Sequence, residues 1–563
     1  MRRKRLPYIA SMCFVLIVVA GYVIFPQVTL IQGSLHKDGG LSFDRYLELL
    51  DMRNTANVEA VFNSVAVSML SVVFGALVGG LFAFTFTQFR FPFWKGLSRL
   101  AVLPIALPPL VGVIAFLFVF GESGLLPRLL QKVFALTNVP FYLDGFGAIA
   151  AIHVYSFYVY FYLFISNSLR QLDGSLIEAA SSLGSSRWNT FRRVVLPQLR
   201  PAIIGASVLT FMASMASFSA PLIFGGDRRF LTTQIYAAKL NGDLDMAAAQ
   251  SVLLTIVSIG FFLVFTLSGR SGSRGTTKGS PRKGEIAVSS LMRRILIALT
   301  VFLLAIEVLP IATIIVISFV KEGSWTWQVF PTEYTIENYA KLFIDPRVFE
   351  PIQNSVVMSL LAVVAATMVG VTASFVIVKG GLRKLRTVLD VLFNLSFAIP
   401  GTVVAIGLIY TFNRPTPLSG YTVLVGTFWI LPLAYFIRTY PLIIRSTSSA
   451  LEQLDDSLME AGETFGAGLL TRFRRIALPI ILPGIVSGCL LVAIAALGEF
   501  VSSILLYTYS SRPIAIEILS QLRGYNFGAA AAYSVFLLIV ISLLTLLSNR
   551  QTSRDLAKPG LHL

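Results

Sequence analysis

One loop-like segment is written twice in this chain, 282 residues apart. Ser175, Glu178, Ala179, Ala180, Gly184, Phe191, Arg192, Arg193 and Pro197 return as Ser457, Glu460, Ala461, Gly462, Gly466, Phe473, Arg474, Arg475 and Pro479. From Leu172 to Ile203 the two copies align without a gap, and 14 of 32 positions are identical. Crossing a bilayer demands apolar length, not a Glu, a Gly, a Phe and a Pro at one spacing. The repetition therefore points to a partner that reads both copies.

Hydrophobic residues make up 55% of the chain and charged residues 13%, with a mean hydropathy of +0.77. Such a chain is an integral membrane protein, not a soluble globule. Cys13 and Cys489 both lie in apolar runs and read as small hydrophobes, so no disulfide framework is expected.

A helix needs about 20 mainly apolar residues to cross the hydrocarbon, so gaps between charges are candidate spans. The first half supplies six: Leu6 to Gln32, Ala60 to Phe89, Leu100 to Gly121, Gly145 to Leu169, Pro201 to Phe224 and Met246 to Gly269. The second supplies Ile295 to Val320, Pro351 to Val378, Val391 to Asn413, Pro415 to Ile437, Ile480 to Tyr507 and Gly524 to Asn549. The predicted fold is thus all-α and polytopic, with about twelve transmembrane helices in two parallel six-helix repeats. Its parts are a first half at 1–269, a basic Gly/Ser-rich tether at 270–294 and a second half at 295–563. Shorter echoes support the repeat: Asn63-Ser64 with Asn354-Ser355, and Ala106-Leu107-Pro108 with Ala398-Ile399-Pro400.

With the amino terminus inside, inner segments hold 31 Lys and Arg and outer segments 14, so both termini are predicted cytoplasmic. The formal net charge of +17 is mostly this topological bias and does not indicate nucleic-acid binding. The basic start followed by an apolar run resembles a signal peptide, but it is read as an uncleaved helix because a clear small-residue cleavage site is missing.

The repeated segments, at 171–200 and 452–482, join the fourth and fifth spans of each half. Ser175 with Glu178, and Ser457 with Glu460, fit an S-x-x-E capping box that starts a short helix. Gly184 and Gly466 are placed to end it in a left-handed conformation. A second short segment then carries Phe191 or Phe473 and an Arg pair before Leu-Pro opens the next span. Such a loop would offer Ala179, Ala180 and Phe191 to a partner. Capping alone explains the Ser, Glu and Gly, and lipid headgroups explain the Arg pairs, but neither explains the whole pattern occurring twice.

These residues resemble the signature of permease subunits of ATP-binding cassette importers: Glu-Ala-Ala, a Gly six residues after the Glu, and a later Leu-Pro. Gly462 departs from it at the third position. The double-length form is similar to permeases for ferric iron, thiamine and aminoethylphosphonate. The resemblance implies a multi-pass protein of the bacterial inner membrane, fed by an extracytoplasmic solute-binding protein. It also implies two copies of an ATPase subunit, one per loop. ATP and Mg would be used by that ATPase, and no cofactor would be bound by this chain.

The chain's own residues agree: it has no G-x-x-x-x-G-K-[ST] and no Gly-Lys pair, so it carries no phosphate-cradling loop. A gradient-driven carrier is the rival class, and it would place several ionisable groups in mid-membrane. Only Glu307 and Glu499, with His153 third, lie well inside the predicted spans. A membrane-embedded enzyme or metal site has less support, with no H-E-x-x-H and no metal-spaced Cys/His cluster. Glu499, its repeat partner Ser217, His153, Pro108 and Pro400 are candidate path or gate residues. The topology itself is testable: alkaline phosphatase fused after Gly184 or Gly466 is expected to be inactive, and fused after Asp227 active. The reverse pattern would remove the inside assignment of both loops.

Overall fold

A computed structural model describes residues 2–37, 40–53, 55–270, 288–325, 328–379 and 399–556. Most of the tether and residues 391–398 of the ninth predicted span lie outside these. Among the described residues the chain is almost wholly helical, the one named strand pair being His36–Lys37 with Gly40–Leu41. Among the described residues ten helices are long and apolar enough to cross a membrane, and they overlap predicted spans one to eight, eleven and twelve.

The tenth span differs. Residues 415–429 form turns, and the helix runs from Ile430 to Glu452. Ending a span at the first charge placed the boundary at Ile437. The helix instead carries Arg438 inside it, because that charge finds a partner in the break between two later helices, as shown below. The ninth span is represented by the short apolar helix Gly401–Phe412. Pro108 and Pro400 stand at N-caps, with extended backbone just ahead of Pro109–Phe120 and Gly401–Phe412. They therefore break the chain and do not kink a continuous helix.

Compactness divides the chain differently from the two sequence halves. One unit comprises Met1–Arg45, Ile235–Val252 and Thr335–Leu563; the other comprises Tyr46–Gln234 and Leu253–Tyr334. Within the first unit, the amino-terminal helix packs on Gly401–Phe412, with the Tyr22 hydroxyl donating to Leu418 C=O at 2.7 Å. Gly33 lets it approach closely, since a Cβ there would enter the Tyr410 ring. Within the second unit, Ser290–Ile317 packs on Pro109–Phe120 and Thr55–Gln88, and Thr300 Oγ1 donates to Thr85 Oγ1 at 3.1 Å. Hydropathy is similar along all these helices, so small residues and hydroxyls select the neighbours.

Each unit is built around one long helix pair. Thr55–Gln88 packs along Gly145–Arg170 in one, and Pro346–Lys379 along Ile430–Glu452 in the other. Gly79 and Gly370 occupy equivalent places in these pairs. A Cβ on Gly79 would lie 2.4 Å from Tyr158 C=O, and one on Gly370 would lie 2.1 Å from Ile443 Cγ2. At the other end of the same helices, the repeated Asn-Ser pairs hold a chain reversal. Asn63 Nδ2 donates to Arg229 C=O at 3.0 Å, and Ser64 Oγ accepts from Leu231 N–H at 2.9 Å. Asn354 and Ser355 bond Arg512 C=O and Ile514 N–H at 3.2 and 2.7 Å. Gly79→Leu and Gly370→Leu are each expected to cost about 1–3 kcal/mol through overpacking. The cost should appear as a lower melting temperature in detergent, and unchanged melting would contradict the close approach.

Candidate functional site

The short helices of the repeated loop are Gly174–Ser182 and Asp456–Thr464. Their caps are Asp173 and Asp455, not the predicted Ser175 and Ser457. Oδ1 of each Asp accepts from the N–H of Ser175 or Ser457 at 2.9 Å. A carboxylate suits the positive end of a helix better than a hydroxyl, so the cap lies two residues earlier than the S-x-x-E reading places it. The Ser175 hydroxyl and N–H hold the Asp173 carboxyl below its ordinary range, and the Ser457 N–H and hydroxyl do the same for Asp455.

Both helices end as the glycines suggested. Gly184 and Gly466 have φ of +76° and +79°. Ser185 N–H reaches Ala180 C=O and Ala467 N–H reaches Gly462 C=O, each at 3.0 Å, closing a Schellman turn. The chain then makes one helical turn, Arg187–Thr190 or Leu469–Arg472, followed by a π-helical turn, Phe191–Val195 or Phe473–Ala477. In that turn Leu196 N–H bonds Phe191 C=O, and Leu478 N–H bonds Phe473 C=O. The wide turn has a local cause. Pro197 and Pro479 follow at once, lack an N–H and crowd the carbonyl four residues back. Val195 and Ala477 are fully buried, which seats each loop firmly on its unit.

Phe191 is half-buried in the structure. It packs against the core containing Val195 and Leu199 and stacks on Trp188, while Phe473 packs against Phe375. Aromatic area buries inward where the core has room, and other apolar side chains are left outside. These are Leu176, Leu183 and Trp188 in one loop, and Leu458, Phe465 and Leu470 in the other. Each pair is separated by the same 282 residues. Leu183 and Phe465 are 87% and 91% exposed. Glu178, Ala179, Arg192, Arg193 and Pro197 are also exposed, as are Glu460, Ala461, Arg474, Arg475 and Pro479, whereas Ala180 is half-buried.

The copies differ at Gly462. A Cβ there would lie 2.7 Å from Ile476 Cδ1 and 3.2 Å from Arg472 Cγ. Arg472 crosses this space to bond Met459 C=O at 3.2 Å and the Glu463 carboxylate at 2.7 Å. Thr190 and Ser181 occupy the matching positions in the first copy, so the second loop has a clamp that the first lacks. Lys379 also bonds Leu454 C=O and pairs with Asp456.

Of the intramembrane candidates, Glu499 pairs with Arg438, whose Nη1 lies between the two carboxylate oxygens. Glu499 Oε1 also accepts from Ser502 N–H at 2.8 Å, at the start of the short helix Val501–Leu506. Gly401, beside Pro400, leaves room for the guanidinium, since a Cβ there would lie 2.3 Å from Nη1. His153, in the other unit, is buried and its Nδ1 bonds Ser214 Oγ at 2.8 Å, the role of interhelical glue. Ser217 C=O accepts from Thr232 Oγ1 at 2.8 Å. Arg438 was missed, yet a signal existed: carried upstream, the 282-residue offset maps the fourth span onto 427–452 and puts Arg438 within it. Among the described residues no cluster of His, Cys, Asp and Glu suits a metal ion.

The Asp caps predict a pH response. Their lowered carboxyl pKa stabilises both loop helices above the ordinary carboxylate range, and this is lost as the pH falls through the lowered value. Amide exchange at Ser175 and Ser457 is expected to accelerate below about pH 4 beyond the intrinsic trend. Asp173→Ala and Asp455→Ala should reproduce the acceleration at neutral pH, and unchanged protection would show that the carboxylates do not hold the helices.

The family described as "Binding-protein-dependent transport system inner membrane component" matches residues 71–275 and again 366–554. The chain is 30% identical to a "Probable ABC transporter permease protein" of Sinorhizobium fredii, over 96% of this chain and 95% of that one. It is 25% identical to the "Ferric transport system permease protein" of Actinobacillus pleuropneumoniae, over 95% of this chain and 76% of that one. It is 32% identical to the "Molybdenum transport system permease protein" of Mycobacterium bovis, over 35% of this chain and 75% of that one. This chain belongs to the family of inner-membrane components of binding-protein-dependent transport systems, which it carries as a fused double copy.

Proposed function

We propose that the chain forms the translocation path of an ATP-binding cassette importer and that its two repeated loops are cytoplasmic handles for two copies of a separate ATPase. The observation that carries this reading is the matched exposure of three apolar side chains in each loop, at one register, with one loop on each compact unit. Exposed apolar clusters held on ordered backbone mark protein contacts, and two equal clusters suit two equal partners. The Lys and Arg bias favours placing both loops, and both termini, in the cytoplasm.

The geometry supports transmission of force. Each loop continues through its π turn into the next span, Leu196–Met215 or Leu478–Leu497, without an unstructured hinge. A displacement of Leu183 or Phe465 by a closing ATPase dimer therefore moves that span with it. In this cycle ATP hydrolysis belongs to the partner, and solute arrives on an extracytoplasmic binding protein. The gradient-driven alternative loses one of its two candidate carboxylates, because Glu499 is paired with Arg438.

Ferric iron is the leading substrate. Its support is that similarity to the ferric permease runs along 95% of this chain, against 35% for the molybdenum permease. Thiamine, aminoethylphosphonate, a polyamine and a sugar phosphate remain the alternatives. Leu183→Glu combined with Phe465→Glu is expected to reduce co-purifying ATPase and ATP-driven uptake roughly tenfold or more, with the amount in the membrane unchanged. Normal uptake by that double variant would remove the docking role.

A further inference from the structure

Arg438 is the eighth residue after the start of Ile430–Glu452, about 12 Å along its axis. Glu499 follows a 20-residue helix, Leu478–Leu497, about 30 Å long. Arg438 thus lies well inside its helix, and Glu499, bonded to it in the break between Leu478–Leu497 and Val501–Leu506, sits at the same level. Here an unpaired charge is costly and an ion pair turned toward lipid is rare.

The pair is lopsided. The Glu499 side chain is 10% exposed, whereas the Arg438 side chain keeps 27%. Both Glu499 oxygens are served by one nitrogen, Nη1. Nε and Nη2 of Arg438 make no hydrogen bond to the described residues and are not among the buried polar atoms lacking a partner. They reach solvent. In hydrocarbon those two donors would be left unsatisfied, so the open edge of the guanidinium faces water within the protein. Gly401 is the residue that makes room for this orientation.

From this geometry we infer that Arg438 is an oxyanion-recognising residue of the transport path, oriented by Glu499. The inference rests on the importer reading above and specifies its solute: a molecule or metal complex carrying a carboxylate, phosphate or tetrahedral oxyanion. The Nε–Nη2 edge is the fork that meets two such oxygens side by side. Glu499 prevents the guanidinium from swinging away and neutralises it when no solute is present. A bare cation gains nothing at this point: the carboxylate is already occupied, and the accessible charge is positive. Ferric iron would thus pass with an anionic ligand attached. The other half supplies no second charge, since Ser156 and Ser217 occupy the positions that match Arg438 and Glu499.

The test uses the complete transporter, permease with its ATPase and binding protein, in liposomes. Accumulation of radiolabelled sulfate, molybdate, aminoethylphosphonate, ferric citrate and spermidine is followed with and without ATP. The inference expects uptake of at least one oxyanion-bearing probe and none of spermidine. The decisive variant is Arg438→Gln with Glu499→Gln, which removes both charges and leaves neither one unpaired. A purely structural ion pair predicts normal uptake in this double variant. An oxyanion-recognising Arg438 predicts a loss of roughly tenfold or more, with the membrane amount and co-purified ATPase unchanged, and partial recovery in Arg438→Lys. Normal uptake by the double variant, uptake of spermidine alone, or uptake of none of the oxyanion probes overturns the inference. ATP hydrolysis that responds to the binding protein, measured without any probe, tests the importer reading separately.

Discussion

Hydrocarbon offers no partner to a charge or an open peptide group, and the main features of this chain answer that constraint. Arg438 and Glu499 are tolerated at depth because they pair with each other, and Ser502 N–H donates to the Glu499 carboxylate as well. Asn63-Ser64 and Asn354-Ser355 supply the bonds that chain reversals at the ends of the spans leave open. Pro197 and Pro479 remove a backbone bond, and a π turn just before them absorbs the defect. Since lipid is as apolar as leucine, helix neighbours are selected by close approach at residues such as Gly79, Gly370 and Gly33.

The halves agree in the parts proposed for coupling and diverge in those proposed to meet the solute. The left-handed glycines, the π turns, the buried residue after each Arg pair and the exposed apolar triplets agree between the halves. Two equal motors pulling on two loops would keep such parts equal. At depth the halves diverge: Ser156 matches Arg438, Ser217 matches Glu499 and His153 matches Tyr435. A solute has no such symmetry, so one half can carry the charged recognition group while the other stays neutral. The second loop has also drifted locally, with Gly462 opening space that Arg472 uses to reach Glu463.

Much of the fold was legible because length and apolarity suffice to identify a span, and ten of the described helices match on that ground. The loop was legible because capping chemistry is local: Gly184 and Gly466 turn the chain within six residues of Glu178 and Glu460. The errors have one physical origin. The S-x-x-E pattern points to Ser175 as the cap, but the Asp173 carboxylate binds the Ser175 N–H and starts the helix two residues sooner. How far Phe191 turns inward depends on the core containing Val195 and Leu199, which no local pattern shows. The tenth span was cut at Arg438 because a charge costs its full desolvation unless a partner is known, and Glu499 lies 61 residues away.

The order of residues by itself determined membrane residence, the doubled copy, most of the apolar helices and the glycine turns and proline breaks. All of these depend on composition or on groups within a turn or two of one another. Tertiary structure alone decided which helices share a compact unit, which apolar side chains of each loop stay outside, and that a guanidinium and a carboxylate meet in the span region. Those outcomes depend on contacts between segments far apart in the chain, where close packing and the pairing of buried polar groups, not local propensity, set the energy.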